Sequence, residues 1–160
     1  AKESETAFEI HFSNATPDET QITPTEQNNQ KQVSSTASIT ADNKVAQMSV
    51  TLTDINDEQT CTFTVENTSQ DGIKAIIKPS NVTIYANPEL TTAYSSDYFD
   101  VTTSITSNLE VSSTAGSNTA TFTVTVKLKK AYVDSTEQQN APTHTENFYI
   151  KLDAVSSQQS

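Results

Sequence analysis

The amino-acid sequence predicts an all-β protein built as an antiparallel β-sandwich, and three observations lead to this prediction. Over residues 119–129 (TATFTVTVKLK), an apolar side chain stands at every second position, with Thr or Lys between. Such alternation is typical of a strand with one buried and one wet face. The same period recurs along the chain, and no stretch has the 3.6-residue period of an amphipathic helix.

Turn residues separate the alternating segments. Gly72 closes a polar turn and can adopt positive φ, and Pro79 separates two short strands. A loop over residues 87–97 is predicted to hold a helical turn near Pro88, and a polar loop is predicted over residues 130–143. Short strands joined by turns favour two packed sheets. The predicted strands cover residues 7–13, 33–41, 44–53, 60–66, 73–78, 81–86, 98–106, 109–112, 119–129 and 144–154.

The first predicted strand is set apart from the others. It carries Phe8, Ile10 and Phe12 on one face, and the polar stretch 14–32 follows it. That stretch cannot bury enough apolar surface to offset its ordering entropy, so it is predicted to be an extended tether. The sequence therefore divides into a donor strand with its tether (1–32), a sandwich domain (33–155) and a flexible tail (156–160). A donor strand is one that inserts into the sheet of another copy.

Phe8, Ile10 and Phe12 need a place of burial, because each apolar side chain of this size gains about 1.5–3 kcal/mol on leaving water. Three arrangements are open: insertion into a second copy, insertion into the chain's own sandwich, or a disordered N-terminus. Long structureless loops are uncommon inside compact domains, and a tether of this length reaches about 60 Å at ~3.3 Å per residue. Donation to a second copy is therefore the preferred expectation, and a head-to-tail contact of that kind builds filaments.

Composition restricts the partners of this chain. Its formal net charge is −11, and all nine basic residues are Lys. A phosphate-binding groove is therefore not expected, nor is a nucleic-acid partner. The sequence has no 18-residue apolar run, so no membrane span is predicted. It opens at Ala1 without an initiator Met, as a secreted protein does after removal of its signal peptide. An extracellular or cell-surface location is expected.

The sequence offers no combination of residues for catalysis. His11 and His144 stand at opposite ends of the chain, and neither begins an H-E-x-x-H pair. Gly72 and Gly116, the only glycines, cannot form a nucleophile elbow or a phosphate loop. We therefore expect no enzyme activity, no cofactor and no resident metal. The acidic turn 54–59 could offer oxygen ligands to Ca²⁺ but lacks EF-hand spacing, which favours a solvated turn.

Three kinds of covalent chemistry remain open from sequence. Cys61 has no partner for an intrachain disulfide and lies on the apolar parity of its strand, so it is expected to be a small buried hydrophobe; a reactive thiol or an intermolecular disulfide is the alternative. A Lys–Asn isopeptide bond between neighbouring strands is possible in principle. Glycosylation sequons begin at Asn14, Asn67 and Asn81.

The segment 50–75 (VTLTDINDEQTCTFTVENTSQDGIKA) resembles TasA/camelysin-type exported proteins. In that family a strand leads through an acidic turn into an F-x-V-x-N strand, a polar turn and a small residue, and here Phe63, Val65, Asn67 and Ala75 fill those places. The first turn departs from the family's Pro-Gly-Asp, having Asn56-Asp57-Glu58 instead. The C-terminal stretch 147–158 is also similar to the family's closing strand.

The resemblance implies a secreted jelly-roll or Ig-like sandwich whose subunits form extracellular fibres. In such fibres each subunit inserts its N-terminal strand into the next. The sequence hypothesis is therefore a structural subunit of filaments, pili or biofilm matrix, with copies of itself as partner and Phe8, Ile10 and Phe12 as the polymer interface. The alternative is a monomeric Ig-like adhesion or ligand-binding module on a cell surface.

Overall fold

A computed structural model describes residues 8–27, 30–129 and 144–157 of the chain. These residues form eleven strands and one short 3₁₀ helix at Pro79–Asn81. The strands are β1 Ile10–Thr16, β2 Ser34–Ile39, β3 Val45–Leu52, β4 Glu58–Asn67, β5 Ala75–Ile77, β6 Val82–Tyr85, β7 Phe99–Thr103, β8 Leu109–Val111, β9 Thr119–Leu128, β10 His144–Leu152 and β11 Val155–Ser156.

The strands make two four-stranded sheets and one small sheet, all antiparallel. The first sheet has the order β1-β4-β9-β7, and the second has the order β2-β3-β10-β6. The small sheet has the order β11-β5-β8. The predicted all-β antiparallel sandwich is confirmed.

The alternating sequences form the centre of the first sheet. Strand β4 pairs with β9 so that Phe63 lies opposite Phe122 and Cys61 lies opposite Val124, and all four side chains are buried. The Thr residues between them face outward; the hydroxyls of Thr60 and Thr125, for example, are 2.8 Å apart. The period of two thus places one apolar row against the second sheet and leaves a hydroxyl row outside.

The second sheet supplies the other half of the core. Strand β3 alternates between buried and half-buried residues along its whole length. Its partner β10 buries Phe148 and Ile150 against the same interior. A single apolar cluster contains residues from both large sheets and from the small sheet. The sandwich therefore has one continuous core.

Strand β1 is displaced from its predicted position. The period of two predicts a strand over residues 7–13, whereas the strand runs from Ile10 to Thr16. A bulge at Ser13 separates the pairs Phe12↔Val65 and Asn14↔Thr64. Because a bulge inserts one extra residue, it shifts the inward parity from even to odd positions. The apolar pattern therefore stops at residue 12, although the strand continues.

Two further expectations are wrong in detail. The sequence predicts a free tail from residue 156, but Ser156 is buried, pairs with Ala75, and belongs to β11. The turn predicted near Pro88 is present, closed by a hydrogen bond from the N–H of Leu90 to the Asn87 carbonyl at 3.1 Å, but it is not helical, because Leu90 has a φ of 60°. The Asn87 side chain also accepts hydrogen bonds from the backbone N–H groups of Thr91 and Thr92. The predicted loop 130–143 lies outside the described residues.

No helix in the described part of the chain has the length and apolar character needed to cross a membrane.

Candidate functional site: the docking surface of strand β1

Strand β1 is an edge strand of the chain's own first sheet. It pairs antiparallel with β4, from Ile10↔Asn67 to Thr16↔Thr62. On its other side, the N–H of Phe12 donates to the carbonyl of Asn43 in the β2–β3 turn, at 2.9 Å. The expectation that the tether holds this strand away from the body is wrong for the single chain, which adopts the self-insertion arrangement. Adding β1 to the edge of β4 satisfies backbone groups that would otherwise be unpaired.

Phe12 is the main apolar contact of β1. Its side chain is 1 % exposed, and its ring lies 6.3 Å from the rings of both Phe63 and Phe122. The Phe12–Phe63 contact is edge-on at 70°, a favourable geometry for an aromatic pair. The chain's N-terminal strand therefore completes an aromatic cluster that the central strands begin.

The other two residues predicted for this interface contribute less. Phe8 and Ile10 are partly buried hydrophobic residues packed against the core cluster. Ala15 also packs there, opposite Phe63, because of the bulge. The sequence pattern does not identify Ala15, since the break in periodicity gives no local signal.

Polar contacts fix the start of β1. The N–H of Glu9 donates to Ser69 Oγ at 2.7 Å, and the N–H of Thr68 donates to the Glu9 carbonyl at 3.0 Å. His11 Nε2 lies 3.1 Å from Glu66 Oε1, and Lys44 Nζ lies 3.2 Å from Glu9 Oε2. These contacts fix which residues of β1 and β4 lie opposite each other. They add little to the stability of the pairing, because surface ion pairs contribute little.

The segment after β1, residues 17–22, crosses from the first sheet to the second and is here called the crossing segment. Asp18 Oδ2 accepts from the backbone N–H of Thr60 at 2.7 Å, and so acts as a partner for the edge of β4 where β1 has ended. The amide Nε2 of Gln59 donates to the carbonyl of Thr20 at 2.6 Å. Ser35 Oγ donates to Gln59 Oε1 at 2.7 Å. The predicted tether is therefore anchored at its start.

Gln59 is the residue that makes this anchor possible. It is 1 % exposed and lies on the inward parity of β4 with Cys61 and Phe63. A buried amide without partners would be costly, so its bonds to Ser35 and Thr20 are needed by the fold. A polar side chain in an otherwise apolar row is the signal in the sequence that could have identified this anchor.

The three sequons lie in very different surroundings. Asn14 is exposed on the outer face of β1. Asn81 is half-buried, and its Oδ1 accepts from the N–H of Lys78 at 2.9 Å. Asn67 is fully buried; its Nδ2 donates to the carbonyls of Ile73 and Val111, both at 2.9 Å. A glycan on Asn67 is incompatible with this packing, so its prediction as a modification site is wrong for the folded chain.

A lysine bridges two carboxylates of the acidic turn that could have offered ligands to Ca²⁺. Lys31 Nζ lies 3.2 Å from Asp54 Oδ2 and 3.1 Å from Asp57 Oδ1, and these contacts raise its pKa. Among the described residues no group of three or more His, Cys, Asp or Glu side chains is placed to hold a metal ion. The ammonium group thus occupies the space between the two carboxylates.

Cys61 is a buried core residue, as expected. Its side chain is fully buried in the core, and burial raises the pKa of its thiol. Thiolate chemistry is therefore disfavoured at this position. The fold does not bring the two histidines together. His144 stacks on Phe99 with ring centroids 5.3 Å apart, whereas His11, on β1, lies beside Glu66 of β4.

A cleft of about 310 Å³ opens beside the first residues of β1. Its lining includes Ile10 and Phe12 from β1, Leu152 and Ala154, and the two lysines Lys44 and Lys151.

Comparison of the chain with protein-family models, with curated proteins and with solved structures gave no match.

Proposed function

We propose that the chain is a secreted structural subunit that polymerises into extracellular filaments by exchanging β1 between copies. The observation that carries the proposal is the position of Phe12: a strand at the edge of the first sheet supplies the third ring of the central aromatic cluster. The β1 of a second copy would make the same contacts on the same β4.

Edge pairing makes such an exchange possible. Among the residues that the structure describes, strand β1 pairs with β4 alone, so its departure breaks no other strand pair described in the sandwich. Exchange of an identical element between copies is a low-cost route to association, because the interactions broken within one chain form again between two chains. When each copy donates to the next and none closes the ring, a filament results.

The remaining parts of the proposal have sequence support. The net charge of −11 with Lys as the only basic residue type suits a protein that stays soluble before assembly. The resemblance of residues 50–75 to exported fibre-forming proteins motivates the extracellular location.

A disulfide lock tests the proposal. Thr16 and Thr62 are register partners facing outward, and antiparallel partners lie about 4.5–5.5 Å apart, within disulfide range. In a Cys61→Ala background, Thr16→Cys with Thr62→Cys should give, when oxidised as monomer, a chain that forms no filaments by negative-stain microscopy. Reduction should restore assembly.

The matched control places the same bond at the opposite edge of the sheet. Thr102 and Thr125 are also register partners, on β7 and β9, and locking them should leave assembly unchanged. Filaments from the oxidised Thr16/Thr62 chain would show that β1 does not exchange.

The second candidate is a monomeric Ig-like adhesion or ligand-binding module. It is favoured by the insertion of β1 into its own sheet and by the cleft beside it. Sedimentation of the natively folded protein separates the two candidates, because the module stays monomeric at concentrations at which a subunit polymerises.

A further inference from the structure

The contacts of β1 do not end at Thr16. Beyond it, Asp18 binds the N–H of Thr60, and the carbonyl of Thr20 accepts from Gln59. Gln21 Nε2 donates to the carbonyl of Ser35 at 3.2 Å. The crossing segment thus follows the same β4 edge and then reaches β2.

The crossing segment ends at a backbone pair. Ile22 and Val33 exchange two hydrogen bonds, of 2.7 Å and 3.0 Å, and form an isolated antiparallel bridge. Val33 is buried and Ile22 packs against the core. This bridge is separate from the β1–β4 ladder, whose last pair is Thr16↔Thr62, and it ties the end of the crossing segment to the residue before β2.

The residues just before Val33 are held by the body. Lys31 bridges Asp54 and Asp57. The N–H of Gln32 donates to Thr53 Oγ1 at 2.9 Å, and that hydroxyl donates back to the Gln32 carbonyl at 3.0 Å. Residues 31–33 therefore stay with the sandwich when anything before them leaves.

We propose that the unit exchanged between copies is the whole of residues 8–22, and that its partner surface is the β4 edge together with Gln59 and Ser35 of a second copy. This inference rests on the proposed function. It moves the end of the exchanged unit from residue 13, where the apolar pattern stops, to Ile22.

Buried polar groups decide where the unit ends. If exchange stopped at Thr16, the neighbouring copy would receive β1 without a crossing segment, and its own residues 17–22 would be pulled away to serve as the link. Gln59, which is 1 % exposed, would then lose the Thr20 carbonyl, and the N–H of Thr60 would lose Asp18. Unmet hydrogen bonds of buried groups are costly. When residues 17–22 travel with β1, the neighbour regains both bonds.

The link that remains sets how far apart two exchanging copies can lie. Eight residues, 23–30, separate Ile22 from Lys31, which allows a span of up to ~26 Å at about 3.3 Å per residue. The sequence TPTEQNNQ contains no large apolar side chain, so extending it exposes little apolar surface.

Two cysteine pairs locate the end of the unit in assembled filaments, again in the Cys61→Ala background. Thr16→Cys with Thr62→Cys reports on β1, and Ile22→Cys with Val33→Cys reports on the end of the crossing segment. Filaments assembled in reductant are oxidised, denatured and run on a non-reducing gel. Exchange through Ile22 predicts that both pairs give ladders of covalently linked chains.

The alternative outcomes are distinct. A ladder from the Thr16/Thr62 pair with monomers from the Ile22/Val33 pair would overturn this inference and leave strand exchange standing. Monomers from both pairs, or no assembly at all, would overturn both proposals. Cysteines at Thr102 and Thr125 must give monomers, which excludes random cross-linking.

A second variant keeps the inference testable if the Ile22/Val33 cysteine chain does not fold. Replacing residues 23–32 by Asn-Gly joins the Ile22–Val33 pair through a two-residue type I′ hairpin turn. The link can then no longer extend, so assembly should be abolished while the monomer stays folded by circular dichroism. If residues 17–22 were the link, this variant would still form filaments, and their presence would contradict the inference.

Discussion

The two edges of the first sheet, β1 and β7, are built from similar parts but are attached differently. Each contributes one buried phenylalanine, Phe12 and Phe99, and each pairs with a single central strand. Among the described residues, strand β7 lies between β6 and β8 in the chain, whereas β1 is followed by the crossing segment and then by residues 23–33 before β2 begins. Moving β7 to another copy would also displace the chain that joins it to β6 and β8.

The segments next to the two strands also differ in what holds them. The crossing segment after β1 is held by Asp18, Gln59 and Ser35, through hydrogen bonds. The loop before β7 is held by Tyr94, whose N–H donates to the Ile84 carbonyl of β6 at 2.9 Å and whose ring lies 4.6 Å from that of Phe148. The bonds of the crossing segment, like the ring contacts of Phe12, can form again with the same groups of another copy, whereas the loop before β7 is paired with β6 of its own chain.

The largest expected effect comes from truncating the two phenylalanines. Phe12→Ala and Phe99→Ala should each lower the free energy of unfolding by about 3–5 kcal/mol, as measured by urea denaturation, because each removes a buried ring. Only Phe12→Ala should abolish filaments, since it weakens docking within and between chains. Equal loss of assembly in both variants would mean that global stability, and not the identity of the edge, controls assembly.

A smaller loss of stability is expected from a change at Asn67, the last residue of β4, which lies between the two edge strands of the first sheet. Asn67→Ala removes the donors for the carbonyls of Ile73 and Val111, and should cost about 2–4 kcal/mol of unfolding free energy. The matched variant Asn81→Ala loses one half-exposed bond and should cost about 1 kcal/mol or less. Comparable losses at the two positions would show that the buried amide is not a structural link.

Asp18, which anchors the crossing segment, is expected to contribute less to the free energy of unfolding than Asn67. Asp18→Ala removes a charge-assisted bond to the N–H of Thr60 and should lower stability by about 1–2 kcal/mol. Its control is Asp100→Ala on β7, an exposed position where the change should stay within about 0.5 kcal/mol. The two denaturation midpoints should therefore separate, and coincident midpoints would argue against an anchor at Asp18.

The smallest effect concerns the loop before β7 and appears at high pH. Burial raises the pKa of Tyr94 to about 12, so the folded state keeps the proton to higher pH than the unfolded state. The stability contribution is therefore complete below the ordinary tyrosine pKa near 10 and is lost as pH rises through about 12. Solvent screening of the partly exposed ring limits the loss to about 1 kcal/mol.

The variant Tyr94→Phe serves as the control for that pH effect. The hydroxyl of Tyr94 makes no hydrogen bond to any described residue, so removing it should leave neutral-pH stability unchanged or slightly higher. The Phe variant should lack the Tyr94 contribution to the loss between pH 10 and 12. An identical pH profile for the two proteins would mean that the Tyr94 hydroxyl is not buried in the folded state.

The central strands of the sheets could be predicted from the sequence, whereas the bounds of the edge strand β1 and the contacts of the crossing segment could not. A period of two along β4 and β9 gave the core directly, because uninterrupted pleating keeps parity. The bulge in β1 broke that parity, so the apolar pattern ended before the strand did. The crossing segment has few apolar residues, and its anchor depends on bonds between residues far apart in the chain, which periodicity does not report.

The sequence of β4 does indicate where some of the buried hydrogen bonds lie. Along the inward parity of β4, the polar residues Gln59 and Asn67 stand at either end of Cys61, Phe63 and Val65. Polar residues in an inward row indicate buried hydrogen bonds. By that criterion Asn67 is a structural amide and not a glycosylation site.

The central claim is that β1 moves between copies, and one cross-linking measurement on the unmodified sequence tests it. Filaments are assembled from an equimolar mixture of ¹⁴N- and ¹⁵N-labelled chains and treated with a zero-length carbodiimide. Glu9 and Lys44, 3.2 Å apart, join β1 to the body, while Lys31 and Asp57, 3.1 Å apart, lie within it. Exchange of β1 predicts mixed heavy–light Glu9–Lys44 cross-links in the statistical proportion and isotopically pure Lys31–Asp57 cross-links. Pure Glu9–Lys44 cross-links in intact filaments would contradict it.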